Sequence, residues 1–240
     1  MELQLVVILD PDRASQPVLV NGMLGSSQIG RVSAAAREAN VLLARDSVGI
    51  SRTEGELLPC HERYGGFIGL GLRCVELDFV SIGGAEYDIE VIAEGRPAAR
   101  ARTVVPEQFA IVSHSIAGVL PGTVTLNAAW TSSPSAHRYV VTIRGTQYKP
   151  GYSCRPDAQC FKRWLVATPD TAISVTIDAS YFEAAVGPFS LDVYAMNRDL
   201  YAYLMTGDGN SFFPVAPIQN VVGGFGVVGA WVVRSVPLQP

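Results

Sequence analysis

Hydrophobic and polar residues alternate with a period of two along most of this chain. In Glu86-Tyr87-Asp88-Ile89-Glu90-Val91-Ile92-Ala93-Glu94, Tyr87, Ile89, Val91 and Ala93 share one face, while Glu86, Asp88, Glu90 and Glu94 share the other. Successive side chains of a strand point to opposite sides, so the pattern predicts an antiparallel strand buried on one face and solvated on an acidic one. Val124, Leu126, Ala128 and Trp130 repeat it, and so do Phe189, Leu191, Val193 and Ala195. Ile173, Val175 and Ile177 alternate in the same way with Ser174, Thr176 and Asp178. Gly83-Gly84, Gly95-Arg96-Pro97, Pro121-Gly122, Gly187-Pro188 and Gly207-Asp208-Gly209 punctuate these runs as turns. Together they predict an all-β chain of two antiparallel β-sandwich domains in tandem, with at most one or two short helices.

Two stretches carry helical signals. Within the alanine-rich segment Arg31 to Asp46, Val32, Ala35, Ala36, Ala39, Leu42 and Leu43 fit a helical stripe, whereas a strand would keep only Asn40 to Arg45. Ser180 followed by Glu183 resembles a capping box, for a short helix that stops at Gly187-Pro188. Around the Asn197-Arg198-Asp199 turn, Tyr201 and Tyr203 are either buried or scattered on the surface, or, if Leu200 to Met205 is a strand, exposed side by side. Tyr201 and Tyr203 would then share one face, a candidate contact surface for protein or for sugar rings. The boundary between domains is expected between Pro106 and Gly118, dividing the chain into 1–110 and 111–240.

With 48% hydrophobic and 17% charged residues, the chain has ample apolar material for such cores. A net charge of −4 and a pI near 5.4 offer no electrostatic footprint for nucleic acid or for an anionic membrane surface. The apolar run Leu5 to Leu9 is too short to span a bilayer, and neither a basic region nor a cleavage site flanks it. The chain as given is therefore expected to carry neither an export signal nor a transmembrane segment.

Cys60 and Cys74 bracket one Gly-rich segment, and Cys154 and Cys160 bracket another. Four cysteines allow three pairings; the spacing favours the local scheme Cys60–Cys74 and Cys154–Cys160 over free buried thiols or a zinc site. Neither pair has the ligand spacing of a zinc site, and His61 and His137 stand at no recognisable offset. Disulfides would put the protein outside the reducing cytoplasm.

The motifs with chemical associations weaken on inspection. Gly224-x-Gly226-x-x-Gly229 spells a dinucleotide-binding fingerprint, but only eleven residues follow it, and Ala230 to Val233 are strand formers rather than a phosphate-binding helix. The stretch is expected to be a bent or bulged closing strand, with Trp231 packed on a sandwich face. Ser113-His114-Ser115 sets serine beside histidine, yet strand neighbours point apart, so no hydrolytic constellation is expected. Glu86, Asp88 and Glu90 could share a calcium ion, but no loop supplies further ligands, and a solvated face is expected. Asp208-Gly209-Asn210 reads as a hairpin turn. No cofactor, no metal and no catalytic residues are assigned.

Several motifs together carry a family resemblance. These are Pro17-Val18-Leu19-Val20-Asn21-Gly22, Glu38 to Leu43, Gly84 to Val91 and Pro97 to Pro106 in the first half. The first half resembles the transthyretin-like, carboxypeptidase-regulatory type of Ig-like sandwich of domain-of-unknown-function family number 4249, envelope proteins of Bacteroidota and related bacteria. The second half resembles a fibronectin type III-like module in Trp130, Tyr139 to Ile143 and Leu191 to Met196, and Pro217 to Ala230 is similar to that family's closing signature. Family members are typically lipoproteins, and Met1 stands where a lipobox cysteine would be. The resemblance implies an extracytoplasmic, non-enzymatic protein that binds or scaffolds other envelope or membrane proteins, such as an extrinsic subunit on a membrane complex with peripheral membrane association. A carbohydrate-binding accessory protein and a hydrolase are the alternatives.

Overall fold

The computed structural model describes residues 3–14, 16–21, 29–37, 58–59, 73–77, 80–93, 97–148, 161–182, 185–206 and 220–238. The strands in the first part of the chain are β1 (Leu3–Leu9), β2 (Gln16–Asn21), β3 (Ile29–Arg37), β4 (Leu58–Pro59), β5 (Arg73–Leu77), β6 (Glu86–Ala93) and β7 (Ala99–Val104). They are followed by β8 (Ile111–Ala117), β9 (Val124–Trp130), β10 (Arg138–Tyr148), β11 (Phe161–Thr168), β12 (Ala172–Ile177) and β13 (Ala185–Met196). The last elements are the helix α1 (Arg198–Thr206), β14 (Val221–Val222) and β15 (Gly224–Leu238). The all-β class is therefore as expected, with one α-helix and one 3-10 turn (Ala179–Phe182) among the described residues.

The chain folds as two compact units whose segments interleave. Unit 1 comprises residues 1–107, 134–136 and 196–232; unit 2 comprises 108–133, 137–195 and 233–240.

Unit 1 has two sheets. One has the order β15-β1-β2-β5-β4, the other β14-β7-β6-β3. Every strand pair with a register in this unit is antiparallel except β1 with β15, where Leu3 to Leu9 run alongside Gly224 to Ala230. Parallel neighbours need a long crossover, and here most of the chain supplies it. The β6 alternation holds, with Tyr87, Ile89 and Val91 buried and the carboxylates outward. Leu5, Val7 and Leu9 of β1 have no exposed surface.

The alanine-rich segment departs from its helical propensity. Residues 29–37 form β3, paired to β6 from Ile29 opposite Ala93 to Arg37 opposite Glu86. Propensity is a weak prior, and the sheet's backbone partners override it. The remainder of the expected helix, 38–46, and the short strand Asn40 to Arg45 lie outside the described residues.

Unit 2 sets β11-β10-β13 with the end of β15 in one sheet and β12-β9-β8 in the other. Val124, Leu126, Ala128 and Trp130 are buried, and Ser174 and Thr176 of β12 are exposed, as the alternation predicts. Tyr139 packs against Trp130 at 5.4 Å and edge-on against Phe109 at 5.8 Å, while its hydroxyl accepts from the Ser133 amide at 2.7 Å. Residues on both faces of β13 are buried, because Asp192, Tyr194 and Met196 are as enclosed as Leu191 and Val193. Gly187-Pro188, expected to be a turn, lies inside β13 near its start, where the missing proline N–H is tolerated. The capping expectation at Ser180 shifts by two residues. Asp178 is the cap, accepting from the Ser180 amide at 2.8 Å, and a 3-10 turn ending at Phe182 results.

Candidate functional site

The acidic face of β6 meets arginines of β7. Register places Glu90 opposite Arg100 and Asp88 opposite Arg102 on β7. Arg100 lies 2.6 Å from Glu90, and Arg102 lies 3.0 Å from Asp88 and 3.4 Å from Glu86. The Asp88 hydrogen bond and charge hold the Arg102 guanidinium above its ordinary pKa. Cross-strand pairs of opposite charge stabilise the sheet modestly and occupy the carboxylates. Among the described residues, no group of three His, Cys, Asp or Glu side chains is placed to hold a metal ion.

The Gly-rich stretch is a crossing point between the two sheets of unit 1. Val221 and Val222 pair with Ala101 and Arg100 in one sheet, and Gly224 onward pairs with β1 in the other. The chain turns between them at Gly223, in the left-handed region at φ +79, where a side chain would run into the Ala98 carbonyl. At Gly229 the requirement is space, because an added Cβ would come within 3.0 Å of the Leu200 Cα on helix α1. The glycines serve a corner and a helix seat, as close backbone approach demands.

Two asparagines tie that helix down. Asn197 is buried at the start of α1; its side-chain oxygen accepts from the amides of Leu200 and Ala230, both at 3.2 Å. Its amide donates to Thr103 Oγ1 at 2.6 Å and to the Val104 carbonyl at 3.1 Å. One side chain thus caps α1 and joins β7 to β15. Asn220 repeats the arrangement, donating to Asp199 at 2.9 Å and to the Val228 carbonyl at 2.7 Å and accepting from the Val228 amide at 2.9 Å. Trp231, expected against a sandwich face, donates its indole N–H to the buried Asp10 at 3.0 Å. The fully buried Gln16 clasps the same β1–β2 connection through the Asp10 amide and carbonyl.

Helix α1 corrects the expectation for Tyr201 and Tyr203. Residues 200–205 are helical, and the two tyrosines stand about 200° apart around the axis, on opposite sides. The strand face on which a two-tyrosine stacking platform depends is absent. Burial raises the Tyr203 phenol pKa. The missed signal is Asn197, read as a turn residue although Asn followed by an acidic residue in the first turn, Asp199, is also a helix start.

Unit 2 buries a charged residue, Asp192, that carries no local sequence signal. Its carboxylate is enclosed between β10, β13 and β15, 3.2 Å from Arg144 Nε and 2.7 Å from the Ser235 hydroxyl. Ser190 also donates to it at 3.4 Å. By period alone Asp192 falls on a polar face, and only tertiary pairing with Arg144 distinguishes it.

Ser113, His114 and Ser115 all lie exposed on β8. Of the cysteines, Cys74 lies on β5, its backbone opposite Leu58 and Leu19; Cys60, Cys154 and Cys160, with the Asp208-Gly209-Asn210 turn and His61, lie outside the described residues. Among the described residues no helix is long and apolar enough to cross a membrane. Comparison with protein-family models and with curated proteins finds no match for this chain.

Proposed function

We propose that this protein is a non-catalytic binding or scaffolding protein of the cell envelope, an extrinsic subunit that docks on a membrane-associated protein complex. The observation that carries this reading is the exposure of three aliphatic side chains in unit 1. Val80, Ile82 and Val222 are 57%, 64% and 74% exposed, although each could be polar without disturbing a buried core. Exposed aliphatics of this size favour burial against a partner. The polar side chains of the same unit, Asp10, Gln16, Asn197 and Asn220, are engaged in ties between strands and turns. The family resemblance and the cysteine spacing support an extracytoplasmic address.

The test compares the tagged wild type with a Val80→Ser/Ile82→Ser/Val222→Ser variant, each purified from native membranes. A protein retained by the wild type and lost from a variant with an unchanged circular dichroism spectrum is the expected result. Recovery of the wild type alone overturns the proposal.

A further inference from the structure

Strand β8 has one bonded side. It pairs with β9 and is the edge of the sheet β12-β9-β8, and among the described residues no strand lies along its other side. Its Val112, Ser113, His114, Ser115 and Ala117 are all exposed, with Val112 at 63%. On β9, Ala128 opposite His114 and Leu126 opposite Ile116 are buried, while Asn127 opposite Ser115 is exposed. Among the described residues β8 thus presents an open row of N–H and C=O groups, flanked by the exposed side chains of Val112, Ser113, His114, Ser115 and Ala117. Edge strands are ordinarily guarded against pairing by Lys, Pro, inward charges or bulges. β8 has no charged residue and no proline, and its one irregularity is the register shift between Ile111 and Ser113 that leaves Val112 unmatched. From Ser113 to Ala117 the strand is regular.

The sequence of this edge is self-complementary. Val112-Ser113-His114-Ser115-Ile116 reads almost identically in either direction. We propose that two copies of this chain associate by antiparallel pairing of β8 with β8 about a two-fold axis at His114. Ser113 then faces Ser115 of the second copy and His114 faces its own counterpart, with Val112 and Ile116 at the ends of the pairing. Hydroxyl pairs are favourable across strands. A palindrome is what an isologous interface requires, since the same patch must fit itself, whereas an unrelated extended peptide would impose no such symmetry. The joined sheet would have six strands, β12-β9-β8 twice over. The pairing is short, so the association is weak, with dissociation expected in the range of about 10 µM to 1 mM for so small an interface.

Sedimentation velocity of the full chain across that range should show concentration-dependent dimers. His114→Lys places two like charges at the axis and should raise the dissociation constant by at least about tenfold, while Val80→Ser/Ile82→Ser/Val222→Ser leaves dimerisation unchanged. Independently, His114→Cys treated with a short bis-maleimide should give a dimer whose linked peptide carries residue 114 at both ends; Ala117→Cys should not. This second arm decides the matter if His114→Lys disturbs folding. A wild type that stays monomeric throughout, or a dimer indifferent to His114→Lys with no 114-to-114 link, overturns the proposal. Either result leaves the docking surface of unit 1 untouched.

Discussion

Replacing Asn197 tests whether one buried side chain holds helix α1 against two strands. Asn197→Ala removes the helix cap, which costs about 1 kcal/mol. It also leaves the amide of Ala230, a fully buried residue, without its side-chain acceptor, at about 1–3 kcal/mol. A total loss of about 2–4 kcal/mol follows, before the lost donation to Thr103 Oγ1 and the Val104 carbonyl is counted. Asn197→Asp separates the two roles. Aspartate caps helices as well as asparagine does and still accepts from Leu200 and Ala230. It sets an oxygen where the amide stood, however, 3.1 Å from a carbonyl that has no proton to offer. Capping alone predicts a variant at least as stable as wild type. The clasp predicts a loss of about 1–3 kcal/mol, seen as a lower guanidinium midpoint at unchanged slope and as faster amide exchange at Leu200 and Ala230. An Asn197→Asp protein within about 0.5 kcal/mol of wild type would refute the clasp and leave Asn197 as a helix cap only.

Asp192→Ala should destabilise unit 2 by about 2–4 kcal/mol, below the loss for a fully dry ion pair because Arg144 is 31% exposed, and Asp192→Leu with Arg144→Met should recover most of it in a double-mutant cycle. Gly223→Ala should cost about 1–3 kcal/mol from backbone strain alone, with a lowered unfolding midpoint as the readout. Burial raises the Tyr87 phenol, against a smaller opposing effect of the Ile82 amide bond at 2.8 Å. Its contribution to stability is therefore intact below pH about 10 and is lost as pH rises through the higher folded value. A near-ultraviolet alkaline titration should show late-ionising phenols, one fewer in Tyr87→Phe. The denatured, unreduced protein should present no reactive thiol and the reduced protein four; four before reduction would remove the disulfide argument for an extracytoplasmic address.

The elements that sequence periodicity foretells are those whose two faces differ. β6, β9 and β12 have one face buried and one wet, so the alternation of Tyr87, Ile89 and Val91 with carboxylates speaks directly for the structure. β13 is enclosed on both faces, and its Asp192 looks like an ordinary solvent-facing residue until Arg144 arrives from β10. Leu200 to Met205 fits either period over so few residues, and the deciding contact, Asn197 with Ala230, spans more than thirty positions. The alanines of β3 fail in the opposite way, since their local preference yields to the backbone partners on β6. The glycine cluster was legible as structural, but its two distinct duties, the corner at Gly223 and the helix seat at Gly229, depend on Ala98 and Leu200 far away in the chain.

The parallel pairing of Leu3 to Leu9 with Gly224 to Ala230 has a consequence for the order of events during synthesis. β1 emerges more than two hundred residues before its β15 neighbour. Loop closure over such a separation is slow, and the unpartnered side of β1 stays open to wrong partners until β15 has been made. Unit 2 interrupts that wait, since most of its strands lie between. A ribosome stalled before residue 224 would hold a nascent chain whose second unit has most of its strands and whose first lacks its final one, so unit 1 depends most on holding factors as the chain emerges.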